Sequence, residues 1–151
     1  MTHAAFALLE RVHGHLALLG LAVLLHPVIT LRTRRSVTWR MQLTADLAAL
    51  LLAAPFALGW ALYPTYRAQV KPALFHAVPA AALRFESKEH LAAMAVPLVL
   101  SGALVLRAAG RTPEGRRAAW ALFAAAWVLG VGAGLLGLDV ASTAQTLQLD
   151  W

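Results

Sequence analysis

The stretch VHGHLALLGLAVLLHPVITL, residues Val12–Leu31, decides the fold class. It contains no Asp, Glu, Lys or Arg, and as a helix rising 1.5 Å per residue it would span about 30 Å. That length matches the hydrocarbon core of a bilayer, so we predict a membrane-spanning helix. His13, His15 and His26 lie within it, and because polar side chains inside membrane helices are costly, these three are candidates for a functional site.

The composition extends this prediction to the whole chain. Of its 151 residues, 60% are hydrophobic and only 13% are charged, whereas about a quarter would be charged in a soluble domain. Further apolar runs follow the first one. We predict an all-α integral membrane four-helix bundle, a single membrane domain over residues 1–151, with helices at about 12–31, 41–63, 89–106 and 118–138 and an outer loop at 64–88.

The absence of cysteine excludes several kinds of chemistry. Disulfides, thiolate metal sites and haem attached covalently through a Cys-x-x-Cys-His motif are all ruled out. The net charge of +6 comes from basic residues between the apolar runs, where they determine topology and contact membrane lipids. The charge therefore does not indicate nucleic-acid binding.

Basic residues also predict the orientation. Eight basic residues lie in or beside the first and third linkers, namely Arg32, Arg34, Arg35, Arg40, Arg107, Arg111, Arg116 and Arg117. Five lie on the other side of the predicted membrane, namely Arg11, Arg67, Lys71, Arg84 and Lys88. The positive-inside rule places the richer side in the cytoplasm. We therefore expect a multi-pass protein of the bacterial inner membrane, with both termini and residues 64–88 on the outer, periplasmic side.

Prolines and small residues give more local predictions. Pro72 and Pro79 are each suited to the first turn of a short helix within the outer segment. In the fourth run, Ala126, Gly130 and Gly134 recur at four-residue steps, a spacing that lets another helix approach closely. The ridge would serve helix packing within the chain, or contact with other membrane subunits or a second copy.

The predicted topology brings histidines together at the outer end. His13 and His15 begin the first helix, and His90 begins the third, with Glu86 and Glu89 beside it. Two imidazoles from different helices of a membrane bundle are a common ligand set for a b-type haem. The candidate haem-binding residues are therefore His90 paired with His15 or His13.

In helix count, in small size and in carrying histidines on different helices, the chain resembles small four-helix membrane cytochrome b subunits of respiratory complexes. The resemblance concerns architecture and includes no specific motif. It implies one haem b and electron transfer near the periplasmic face, in a subunit of a redox complex. No histidine occurs in the second or fourth run, so His26 has no imidazole opposite it and a second haem is not expected.

Other functions remain open at this point. The chain would also suit a cofactor-free accessory or scaffolding subunit of a larger membrane complex. An outer-face metal site could draw on a set of nitrogen and oxygen ligands, namely His13, His15, His76, His90, Glu86 and Glu89. A polar relay through His26 and Asp46 is a further hypothesis, and the small extramembrane mass argues against a free-standing enzyme.

Overall fold

The computed structural model describes residues 3–33 and 36–147, and these residues form helices without any strand. The elements are α1 (His3–Thr33), α2 (Trp39–Thr65), a π-helical turn (Tyr66–Val70), α3 (Lys71–Ala77), α4 (Pro79–Ala109) and α5 (Pro113–Thr146). Four stretches of helix are long and apolar enough to cross a membrane, namely Ala5–Thr33, Trp39–Ala77, Pro79–Ala109 and Pro113–Thr146. The all-α fold and a chain with the composition of a four-span, multi-pass membrane protein are therefore confirmed.

The segment at 64–88, predicted as a loop, is instead almost wholly helical. α2 runs through the π-helical turn into α3, and within residues 64–88 the chain leaves helical conformation only at Val78. The mixed charge that suggested a loop is compatible with helix because the charges pair. Lys71 Nζ lies 2.5 Å from Glu86 Oε1, and Arg84 Nη1 lies 2.6 Å from Asp139 Oδ2. 

The two prolines of this segment lie in first turns, as the sequence predicts. Pro72 lies in the first turn of α3, and Pro79 is the first residue of α4. At Pro79 no helical hydrogen bond is given up, because the chain leaves helical conformation at Val78 and the first N–H groups of α4 have no partner within that helix. Pro72 instead follows directly on the π-helical turn, where the Lys71 N–H donates to the Tyr66 carbonyl oxygen. Pro79 does not open a separate short helix, however. It opens the full third span, which begins ten residues before the predicted boundary at 89 (89 − 79 = 10).

Two antiparallel hairpins form the bundle. α1 packs mainly on α2, and α4 mainly on α5, while smaller interfaces join α1 to α5 and α2 to α4. α1 and α4 therefore stand at opposite corners. The beginning of α1 and the end of α5 meet at one end of the bundle, where Phe6 and Ala144 line a common cavity. We call this the terminal end.

The core lies toward the other half of the bundle. Its centre is filled by completely buried side chains from all four spans, including Leu24, Ala48, Val99 and Phe123. A smaller cluster of Leu74, Ala81 and Val140 joins α3, α4 and α5 at the terminal end. The helices are thus held together by tight packing of small and branched side chains, as membrane bundles require.

The small-residue ridge of α5 is used within the chain. Ala126 is completely buried, and a Cβ atom on Gly130 would lie 2.5 Å from Leu21 Cδ2 of α1. Only Gly134 is exposed. The ridge therefore lets α1 approach α5. Contact with another chain through the ridge remains a prediction, and Gly134 is the ridge residue exposed for it.

Candidate functional site

His13 joins α1 to α2. Its Nδ1 lies 2.7 Å from the carbonyl oxygen of Pro55, and since a carbonyl only accepts, Nδ1 carries the proton. Gly59 makes the approach possible, because a Cβ atom there would lie 3.1 Å from His13 Cε1. Of the three candidate haem ligands, His13 is the half-buried one, and its hydrogen bond gives it a structural role.

We expect His13→Leu to lower the free energy of unfolding by about 0.6–1.7 kcal/mol, the usual range for one interhelical hydrogen bond in a membrane protein. The measurement is denaturant unfolding in mixed micelles, followed by circular dichroism. His15→Leu is the matched control, because His15 bonds only to its own helix. Equal stability of the two variants would contradict a structural role for His13.

His15 and His90 share one geometry. Both side chains are exposed, and each Nδ1 lies 2.7 Å from the carbonyl oxygen four residues earlier, Arg11 for His15 and Glu86 for His90. Each ring therefore donates through Nδ1, and in the neutral imidazole this tautomer leaves the lone pair on Nε2. Histidines that bind metals are held in the same way, by donating the other ring N–H to a carbonyl or carboxylate.

The fold does not place these two rings opposite each other inside one bundle. His15 lies on α1 and His90 on α4, at opposite corners, and both point out of the packed interior. Near the level of the histidines, Leu21 and Leu91 extend toward α5, where they lie beside Gly130 and Gly132. One chain alone therefore does not form a haem slot with two histidine ligands.

The candidate metal ligands are also separate. Among the residues that the structure describes, no three His, Asp or Glu side chains come close enough to hold a metal ion. Glu86 is engaged by Lys71, and Glu89 is half-buried on α4. His76 is exposed on α3. 

The proposed polar relay is not assembled either. Asp46 accepts a hydrogen bond from Gln42 Nε2 at 3.0 Å and forms an ion pair with Arg107, so it holds α2 to α4. His26 is exposed on α1, and its carbonyl oxygen accepts a hydrogen bond from the Thr30 hydroxyl at 2.8 Å. Asp46 thus has a structural role through its side chain, whereas the hydrogen bond at His26 involves only its backbone.

A small polar cavity at the terminal end was missed by the sequence reasoning. It measures about 60 Å³ and is lined by Glu10, Tyr66, Phe85 and Lys88, among others. The Lys88 ammonium lies 4.4 Å from the centre of the Phe85 ring, and Tyr66 stacks on the same ring at 3.7 Å. The buried Tyr66 hydroxyl has no hydrogen-bond partner among the described residues.

In the sequence, Lys88 served only as one of the basic residues that predict the orientation. In the structure, both Tyr66 and Lys88 line the cavity. The π-helical turn starts at Tyr66, and Gly137 leaves room for the aliphatic part of the Lys88 side chain. A Cβ atom on Gly137 would lie 3.3 Å from Lys88 Cδ. π-Helical turns often occur at functional sites, but they cannot be read from composition.

No protein-family model, curated protein or solved structure matches this chain. Its function is therefore inferred from its own side chains. The small cavity lies at the terminal end, whereas the exposed histidines lie deeper, in the terminal half of the bundle. α1 begins 12 residues before His15 (15 − 3 = 12) and α4 begins 11 residues before His90 (90 − 79 = 11), so both imidazoles lie near the middle of their helices and not at the helix starts that the sequence predicted.

Proposed function

We propose that this protein is a redox-associated integral membrane subunit that binds a b-type haem on the outer surface of the terminal half of the bundle, together with a second membrane chain. One observation carries the proposal. His15 and His90 are exposed, and both have Nδ1 bonded to a backbone carbonyl oxygen, so that Nε2 is the nitrogen left to bind a metal through its lone pair. A haem iron takes one neutral imidazole nitrogen on each face, so each histidine here needs a partner from outside the chain.

The residues around His15 favour a partner chain that covers this face of α1. Leu8, Val12 and Leu19 lie on the same face of α1 and are all exposed. An imidazole on an apolar, membrane-facing surface is costly unless a partner satisfies it. This favours a partner chain, either a second copy or a different subunit, on this face.

His90 has a comparable environment on α4. Leu83 lies two turns before it and Met94 one turn after it, and both are exposed. A flat apolar ring suits such a surface, and the imidazole would supply the axial nitrogen. When bound, the haem would supply one-electron redox chemistry, while this chain would fix the imidazole tautomer and exclude water with its aliphatic side chains.

We further propose that the terminal end faces the periplasm of a bacterial inner membrane. The excess of basic residues near the opposite end supports this orientation. A cysteine introduced by Thr33→Cys should resist an impermeant thiol reagent in spheroplasts, whereas one introduced by Gln145→Cys should react. Both positions are exposed, so the reversed labelling pattern would place the histidines on the cytoplasmic side.

The haem proposal is tested by the reduced-minus-oxidised visible spectrum of the protein purified from its native membrane. We expect a sharp alpha band that is lost in His15→Ala or His90→Ala and retained in His76→Ala. His76 is the matched control because it is an exposed histidine on α3, outside α1 and α4. A wild-type complex without the band, or a band unaffected by all three substitutions, would contradict the proposal.

A cofactor-free accessory subunit is the second candidate. The bond between His13 and Pro55 supports it, because a membrane histidine of this chain already serves helix packing alone. In that case the exposed imidazoles would donate or accept hydrogen bonds at a subunit interface. A colourless complex that loses its partner subunits on His15→Ala or His90→Ala substitution would favour this function over haem binding.

A further inference from the structure

A second, larger cavity opens at the other end of the bundle, between the end of α1 and the start of α5. It measures about 390 Å³. Its cationic side consists of Arg32, Arg116 and Arg117, and Leu31, Pro113 and Trp120 give it an apolar wall. Among the residues that the structure describes, no carboxylate lines the cavity, although Glu114 is a sequence neighbour.

The three guanidinium groups have no counter-anion in the part of the chain that the structure describes. Within residues 3–33 and 36–147, none of them forms an ion pair with an acidic side chain. Arg32 stacks 5.4 Å from the centre of the Trp120 ring, and Arg116 Nη1 donates to the Arg111 carbonyl oxygen at 3.4 Å. Three positive charges at one cavity repel one another, so an anion that enters would relieve that repulsion.

Trp120 contributes its aromatic ring to the wall of the cavity. Its indole Nε1 is buried behind that wall and has no acceptor among the described residues. The cavity surface itself therefore offers an apolar wall beside unneutralised positive charge.

We propose that this cavity binds the phosphate group of an anionic phospholipid. Guanidinium groups bind phosphate oxygens in pairs of hydrogen bonds, and 390 Å³ is within the size range of small-molecule sites. The cavity lies where two spans end, at the depth of the lipid headgroups, and its apolar wall suits glycerol and the first acyl carbons. A free phosphate ion would use the arginines but not that wall.

The test compares lipid retention by native mass spectrometry and the melting temperature in neutral detergent. The probes are phosphatidylglycerol, phosphatidylcholine and inorganic phosphate, each added separately. The test variant is Arg116→Gln/Arg117→Gln. The control, Arg40→Gln/Arg67→Gln, removes the same charge from exposed arginines outside the cavity.

We expect wild type and control to retain phosphatidylglycerol selectively, and the test variant to lose affinity for it by roughly 30-fold. Equal loss in test and control variants, or no preference over phosphatidylcholine, would overturn the proposal. Stabilisation of wild type by inorganic phosphate that matches the lipid effect would also overturn it, in favour of a soluble anion. If the double variant does not fold, Arg117→Gln against Arg67→Gln gives the same comparison.

Discussion

The substitution Gly115→Ala should destabilise the bundle by about 3 kcal/mol or more, because it forces a backbone shift at the α4–α5 turn. A Cβ atom at position 115 would lie 2.0 Å from the Ala109 carbonyl oxygen, and no side-chain rotation can relieve a contact with backbone. The Gly115 N–H is also bonded to Thr112 Oγ1, the cap of α5, at 3.0 Å. The turn must therefore open or the cap must break.

Denaturant unfolding in mixed micelles, followed by circular dichroism, measures this effect. Gly14→Ala is the matched control, since a Cβ atom there meets nothing within 4 Å. Alanine has the better helix propensity by about 1 kcal/mol, so the control should be neutral or stabilising. Similar stability for the two variants would show that the α4–α5 turn does not require glycine.

The substitution Gly102→Ala should have the second largest effect, a loss of about 1–3 kcal/mol from overpacking. Its Cβ atom would lie 2.7 Å from Phe123 Cε1. Phe123 is completely buried at the centre of the core, where its ring has no free space to move into. Insertion of a methyl group must therefore push α4 away from α5 along their extensive interface.

Gly130→Ala is an informative comparison with Gly102→Ala, because its added Cβ atom has a shorter contact but meets a side chain that can move. The nearest atom, 2.5 Å from the added Cβ, is Leu21 Cδ2, the tip of a half-buried and flexible side chain. Rotation of Leu21 relieves the contact, so the cost should stay below about 1 kcal/mol. If Gly130→Ala proved the more damaging of the two, the rigid core placed around Phe123 would be wrong.

The four spans could be predicted because each is a continuous apolar run, such as Val12–Leu31. The helical character of 64–88 could not. Its charges suggest a solvated loop, and they become compatible with helix through pairs such as Lys71 with Glu86 and Arg84 with Asp139, which are distant in sequence. Pairing of that kind depends on the tertiary structure and leaves no local signal.

The residue types of the candidate site could be predicted from the sequence, but the directions in which their side chains point could not. The sequence indicated that His13, His15 and His90 begin their spans at one end. It could not determine that His13 turns toward α2 while His15 and His90 point outward, because that depends on the rotation of each helix in the bundle. The apolar residues surround these helices too evenly for a hydrophobic face to set that rotation.

The central claim is that the exposed imidazoles bind a haem shared with another chain. It is tested most directly by measuring the haem content and the native mass of the same assembly, purified in mild detergent from its own membrane. We predict haem in an assembly of at least two membrane chains, with loss of both haem and assembly on His15→Ala or His90→Ala substitution. Haem bound to a single isolated chain, or a haem-free assembly whose composition is unchanged in both variants, would contradict the claim.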